Sequence, residues 1–287
     1  QSECAAFSAE YRRTHFDMWS QFNDWVVAQG APALAELEFI HESKDANLYV
    51  FPEVADYTHE RPLNATWHRM DSSVRETDQD WALPEALRNR PAGSALIYLS
   101  LGSLGSADVD LMRRLVEVLS TSKHRFIVSK GPQHAEFELA DNMVGSEFLP
   151  QTKIMPLVDV VITHGGNNTV TEAFHFGKPM IVLPLFWDQY DNAQRMDELG
   201  FGRRLATYAF SEQEMHDAIA EFGGPHLARF RSGDDETDRA AGAPRAVGKL
   251  VMQLDQVALE ILLECKRGGG VAFAVPAIKI CLNKLFN

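Results

Sequence analysis

From Ala95 to Phe222 the chain alternates short apolar runs with helical patterns, and that alternation leaves few folds open. Apolar runs fall at 95–101, 125–129, 144–149, 158–163 and 180–183. Helical patterns lie between them at 108–119, 168–176 and 189–199, and Ser211 with Glu214 is spaced as a capping box for a last helix through Phe222. Runs without polar alternation suit strands buried on both faces, and strands that alternate with helices build a parallel sheet. The expected class is therefore α/β, with helices on both faces of a parallel sheet.

Such sheets hold ligands in the crevice outside the carboxyl ends of their strands, where loop side chains and helix N-termini collect. Polar residues gather at those ends here. The densest group is His164-Gly165-Gly166-Asn167-Asn168-Thr169, which follows an apolar strand and opens a helix. The glycines let backbone approach an anion, and the helix start aims free N–H groups at it, so the stretch reads as a phosphate cradle. A lone histidine is commonly a packed or capping residue, but glycines on its C-terminal side and the helix start favour an anion contact. Ser103, in Leu101-Gly102-Ser103-Leu104-Gly105, is either a second phosphate contact or part of a tight strand-to-helix turn; the spacing matches neither a nucleophile elbow nor a Walker loop. Glu172 suits the vicinal hydroxyls of a ribose, although spacing alone favours an ordinary first-turn glutamate placed there by the helix dipole. Asp188 and Gln189 together could read sugar hydroxyls, while Asp188 alone is an ordinary N-cap. Phe148 could stack on a planar base with Gln151 at its polar edge, or be a core residue closing a strand.

Composition narrows the partners. Forty acidic against 27 basic residues give a net charge of -13, which disfavours nucleic acid and anionic membranes, so a phosphate must be met by local donors. Three cysteines, Cys4, Cys265 and Cys281, lack any zinc spacing and fit a reduced, cytoplasmic setting. No metal site and no resident cofactor are expected, and no apolar run reaches membrane-spanning length. Apolar residues at helical spacing between Phe7 and Val26 predict one or two helices over 1–30, with Trp19, Phe22 and Trp25 read as core. Short strands are expected near 46–50 and 65–70, and a Pro-punctuated linker over 71–93. The expected division is 1–93, 94–222 and a tail at 223–287, partly helical near 247–265, with a solvated acidic run at 234–236.

Taken jointly, Phe148-Leu-Pro-Gln151, Thr163-His-Gly-Gly-Asn-Asn-Thr169, Glu172, Gly177-Lys-Pro179 and Pro184-Leu-Phe-Trp-Asp-Gln189 with Asn192 resemble the donor signature of UDP-dependent glycosyltransferases. These are the family-1 enzymes with two facing Rossmann-like domains, the GT-B fold. The resemblance covers about Leu96 to Phe222. It implies that Phe148 and Gln151 hold uracil, and that Glu172 holds the ribose. It assigns the diphosphate to Ser103, His164, Gly166, Asn168 and Thr169, and the transferred sugar to Asp188 and Gln189. Plant members carry Trp where Phe148 and Asn167 stand.

In such enzymes the base that deprotonates the acceptor is a histidine early in the first domain. His15, His41, His59 and His68 lie in no loop resembling that one, so the base is expected upstream of Gln1 and residues 1–93 read as the end of an acceptor domain plus linker. Two functions follow: inverting hexosyl transfer from a UDP-sugar co-substrate to a hydroxyl on a small-molecule or lipid acceptor, or a donor-binding module that needs a partner chain. A nucleotide-sugar epimerase is a third, for which acid/base carboxylates cannot be placed.

Overall fold

The computed structural model describes residues 2–71, 73–75 and 77–223. The tail expected beyond Gly223, with its helix and acidic run, lies outside the described residues. The described residues divide into two compact units, residues 2–48 with 63–68, and residues 49–62 with 69–223.

In the first unit a single helix, α1 (Ser2–Ala28), takes up the helical spacing and ends at Gly30, whose φ of 82° is a left-handed C-terminal turn. Few of its side chains find a core. Val26 and Leu34 are buried, whereas Phe7 and Trp25 are exposed, so Trp25 is not the core residue expected. The aromatic residues stack along the helix instead, Phe22 lying 5.9 Å from Trp25 and 6.0 Å from Phe39. Strands β1 (Asn47–Tyr49) and β2 (Trp67–Arg69) form a two-stranded sheet near the positions expected.

The second unit is built on six parallel strands: β3 (Leu96–Ser100), β4 (Arg125–Ser129), β5 (Met143–Ser146), β6 (Val160–Thr163), β7 (Met180–Val182) and β8 (Gly202–Arg204). Their spatial order is β5-β4-β3-β6-β7-β8. The chain winds outward from β3 through β4 to β5, returns to the other side of β3 with β6, and winds outward again. The strand order therefore reverses between β3 and β6, and that is where an open α/β sheet leaves a crevice.

Helices cover both faces. Ile97 and Leu99 of β3 point with Phe126, Val128 and Ile162 into a core closed by α4 (Val109–Ser120) and α8 (Glu212–Gly223). Leu96 and Tyr98 point the other way with Ile127, Val161 and Val182, and meet α6 (Asn167–His175) and α7 (Gln189–Glu198). Alternate residues of one strand feed opposite cores, which is why these strands are apolar throughout. The capping box forms as spaced: Glu214 accepts from the Ser211 N–H at 2.7 Å while the Ser211 hydroxyl oxygen accepts from the Glu214 N–H at 3.2 Å.

Three features differ from expectation. Strand β5 stops at Ser146 instead of reaching Leu149, because the Ser146 hydroxyl bonds to the Phe148 carbonyl at 2.9 Å and turns the chain. Strand β8 lacks an apolar run; it is an edge strand whose only buried residue is Gly202, packed so close that a Cβ there would lie 2.2 Å from the Met180 carbonyl. The stretch 71–93 is mostly irregular, with one short helix α2 (Glu85–Arg88), yet Trp81, Leu83 and Leu87 pack into the core under α6 and α7, as do Phe51 and Ala55. The compact unit thus takes in residues on both sides of position 93.

Leu115 on α4 is fully buried at the centre of one core. Leu115→Ala is expected to lower unfolding free energy by about 2–5 kcal/mol through lost burial and the cavity left behind, read as an earlier midpoint in urea with an unchanged slope.

Candidate functional site

The crevice is set by register. Ser100 of β3 lies beside Thr163 of β6, so the loops that leave these two strands start level with one another. The first enters the short helix α3 (Gly102–Gly105) and the second enters α6. They meet at His164. A Cβ on Gly102 would sit 2.9 Å from the imidazole Cε1, and one on Gly166 would sit 2.5 Å from Nε2. The ring occupies space that a side chain at either position would need, and Gly102 also has a φ of 67°.

Around the imidazole the donors are open. Gly166 is the N-cap of α6 and supplies no side-chain capping bond, so the first-turn N–H groups of the helix have no side-chain acceptor. Ser103 and Asn168 are exposed. The Asn167 side chain, by contrast, donates to the Val50 carbonyl at 3.0 Å and ties the segment near Phe51 to this loop. Burial pushes the His164 pKa down, with nearby Asp188 pulling the other way, so the ring is neutral at neutral pH and offers one N–H donor. Uncapped N–H groups, a neutral imidazole and hydroxyl and amide side chains are the kind of donors that can receive an anion.

A second cluster lies further along α6. Glu172 is buried, one and a half turns from the helix start, so it is neither a first-turn residue nor solvated. Gln151, at the start of α5 (Gln151–Ile154), donates from Nε2 to Glu172 Oε2 at 2.6 Å and to the Thr169 hydroxyl at 3.2 Å. Arg75 Nε stands 3.2 Å from Glu172 Oε1. Burial raises the Glu172 pKa, opposed by Gln151 and Arg75. Phe148 is 61% exposed, which removes the core reading and leaves an aromatic face free three residues before Gln151.

The third group follows β7. Asp188 stands at the N-cap of α7 but makes no capping bond; its carboxylate accepts from Asn192 Nδ2 at 3.1 Å and is exposed. Asn192 also donates to the Gly165 carbonyl at 2.8 Å, which joins this loop to the His164 loop. Gln189 is buried, and its carboxamide oxygen accepts from the N–H groups of Leu185 and Phe186 at 3.0 and 3.2 Å. That oxygen holds the 185–188 loop in place, so only the amide nitrogen of Gln189 is left for a ligand.

The structure thus brings His164, Gly166, Asn168 and Asp188 to neighbouring loop ends, and Gln151, Thr169 and Glu172 into one bonded cluster. Sequence reasoning missed Arg75 and Gly102. Arg75 lay in a stretch read as linker, and the one available signal was chemical: a buried carboxylate calls for a cation.

Gly166→Ala should push the imidazole out toward solvent. The His164 ring, followed by its C–H proton resonances, is expected to titrate below the ordinary value of 6.5 in the parent and closer to it in the variant. Because folding disfavours the charged ring, its contribution to stability is present above that ordinary value and is lost on acidification through the folded pKa.

Comparison with known proteins matches this geometry to a family. Residues 16–222 fit the family model described as UDP-glucoronosyl and UDP-glucosyl transferase. The NDP-glycosyltransferase YjiC of Bacillus subtilis (strain 168) is 27% identical over 161 residues, covering 54% of this chain and 41% of the relative. A sterol 3-beta-glucosyltransferase of Eremothecium gossypii is 27% identical over 206 residues, 65% of this chain and 16% of that protein. The chain therefore spans well under half the length of these relatives. Among solved structures, the glycotransferase of kitacinnamycin superposes with a TM-score of 0.62 at 20% identity, covering 88% of this chain and 66% of that one. Glycosyltransferase VinC in complex with dTDP gives 0.52 at 18% identity, covering 82% and 58%. The α/β fold is that of GT-B glycosyltransferases, and the chain belongs to the UDP-glucoronosyl and UDP-glucosyl transferase family.

Proposed function

We propose that the second unit binds a UDP-sugar and presents its anomeric carbon for inverting transfer of a hexose to an acceptor hydroxyl. The observation that carries this reading is the side-by-side ending of β3 and β6, which places His164 and the uncapped start of α6 at one crevice. In the reaction the acceptor oxygen forms a bond to the anomeric carbon as the bond from that carbon to the β-phosphate oxygen breaks. Negative charge then grows on the leaving diphosphate. On this reading His164, the first-turn N–H groups of α6, Ser103, Asn168 and Thr169 meet that charge, and preorganised donors of this kind are a large share of catalytic power. Glu172 accepts from the ribose hydroxyls, Phe148 stacks on uracil with Gln151 at its edge, and Asp188 with the Gln189 amide reads the sugar.

On this reading residues 94–222 are the donor domain, and 1–93 are the end of an acceptor domain with its linker, which accords with the family match reaching back to residue 16. The acceptor is a small molecule or lipid; glucosyltransferases named for sterols among the relatives support the lipid class. Three cysteines, odd in number and without zinc spacing in the sequence, support a cytoplasmic setting. Among the described residues no helix is long and apolar enough to cross a membrane.

Calorimetry with UDP, UDP-glucose and dTDP-glucose tests the assignment. The parent chain should bind UDP, and His164→Ala and Glu172→Ala should each weaken it by about 1.5–3 kcal/mol, the range for hydrogen bonds to charged groups. The Glu172→Ala loss should be smaller for dTDP-glucose, which lacks a 2′-hydroxyl. Unchanged affinity in both variants would refute the site.

A further inference from the structure

Arg75 lies outside every loop that follows a strand of the six-stranded sheet, yet it reaches the most buried acid of the site. Its guanidinium Nε is 3.2 Å from Glu172 Oε1, and the Glu172 side chain retains only 5% of its accessible surface. The position is anchored. Two residues on, the Thr77 hydroxyl bonds to the Thr152 hydroxyl at 2.6 Å, and Thr152 adjoins Gln151 on α5. Trp81, Leu83 and Leu87 then hold the following chain in the core. Arg75 and Gln151 thus approach the two oxygens of one carboxylate from adjoining segments.

The two contacts differ in kind. Gln151 makes a short, directed hydrogen bond to Oε2. Arg75 Nε stands 3.2 Å from Oε1 without a well-aligned hydrogen bond, so its contact is chiefly one of charge. Each carboxylate oxygen can accept two hydrogen bonds. Glu172 therefore keeps acceptor capacity on both oxygens while its plane is fixed by Gln151 and its charge is balanced by Arg75. A buried carboxylate without such a cation would take up a proton and lose an acceptor.

We propose that Arg75 is a positioning residue for the nucleoside end of the donor, holding Glu172 ionised and oriented so that its two oxygens accept the two ribose hydroxyls. The inference rests on the assignment of Glu172 to the ribose and extends it to a residue on a separate segment. The groups acting on Glu172 are Arg75, the neutral Gln151 of α5, and Tyr98 of β3. Tyr98 is fully buried with its pKa raised to about 12, so it stays neutral and contributes no competing titration. Burial already raises the Glu172 pKa against the pull of Arg75; removal of the cation raises it further, so the acid-side loss of binding moves to higher pH.

The test is UDP affinity by calorimetry from about pH 5.5 to 8, on the parent chain and on Arg75→Gln, Arg75→Lys, Glu172→Ala and Arg75→Gln/Glu172→Ala. Thermal unfolding of each variant establishes that it is folded. Arg75→Gln should bind about tenfold more weakly at neutral pH, the scale of one lost charge interaction, with the deficit widening toward acid. Arg75→Lys should restore most of the affinity and return the pH profile toward that of the parent, because a cation is again present. In the Glu172→Ala background, Arg75→Gln should have no further effect. The proposal is overturned if Arg75→Gln matches the parent at every pH, or if its deficit persists undiminished without Glu172. Should Glu172→Ala itself bind UDP like the parent, the ribose assignment fails, a result distinguishable from failure of the Arg75 role alone.

Discussion

Everything at the site depends on the parallel pairing of β3 with β6. Strands laid down more than sixty positions apart in the chain are brought side by side because both are apolar on both faces and must be covered by helices above and below. The winding direction reverses between them, so the loops beyond Ser100 and Thr163 diverge to opposite faces and leave a gap. His164 fills the floor of that gap only because Gly102 and Gly166 have no side chains. One backbone constraint thereby fixes the crevice, its donors and the orientation of α6.

The electrostatics of the site follow from a chain that carries a net charge of -13. An anion meets no general positive field here, and the cradle is made of neutral donors: a helix start, an imidazole kept uncharged by burial, hydroxyls and amides. Neutral, preorganised dipoles lose little to reorganisation as charge develops, whereas a flexible lysine would spend conformational entropy on each contact. The opposite economy governs the proposed nucleoside end, where a carboxylate is buried and therefore needs a counter-ion. Arg75 meets that need, and Gln151 adds a hydrogen bond to the same carboxylate, from segments that precede and follow the same core strands.

Much of this was legible in sequence, and the exceptions have physical causes. Strands β3, β4, β6 and β7 announced themselves because burial on both faces leaves no polar residue inside them, and α8 because its capping box is a local pattern. Strand β8 was hidden, since an edge strand with two arginines and a packed glycine shares no signal with a buried one. Phe148 was expected at the end of a strand reaching Leu149, but a single hydroxyl bond from Ser146 turns the chain out of the strand, and the phenylalanine is exposed. The backbone N–H groups of Leu185 and Phe186 hold the oxygen of Gln189, a tie to its own loop that no spacing announces. Arg75 is a purely tertiary partner; no spacing within its own segment points to a glutamate nearly a hundred residues away.

The most direct measurement is the structure of this chain crystallised with UDP. The account predicts that the β-phosphate sits within hydrogen-bonding distance of the His164 ring and the backbone N–H groups at Asn167 to Thr169, with the ribose hydroxyls on Glu172. Density for the diphosphate at any place away from the β3–β6 crevice, or a nucleotide that leaves His164 untouched, would contradict it.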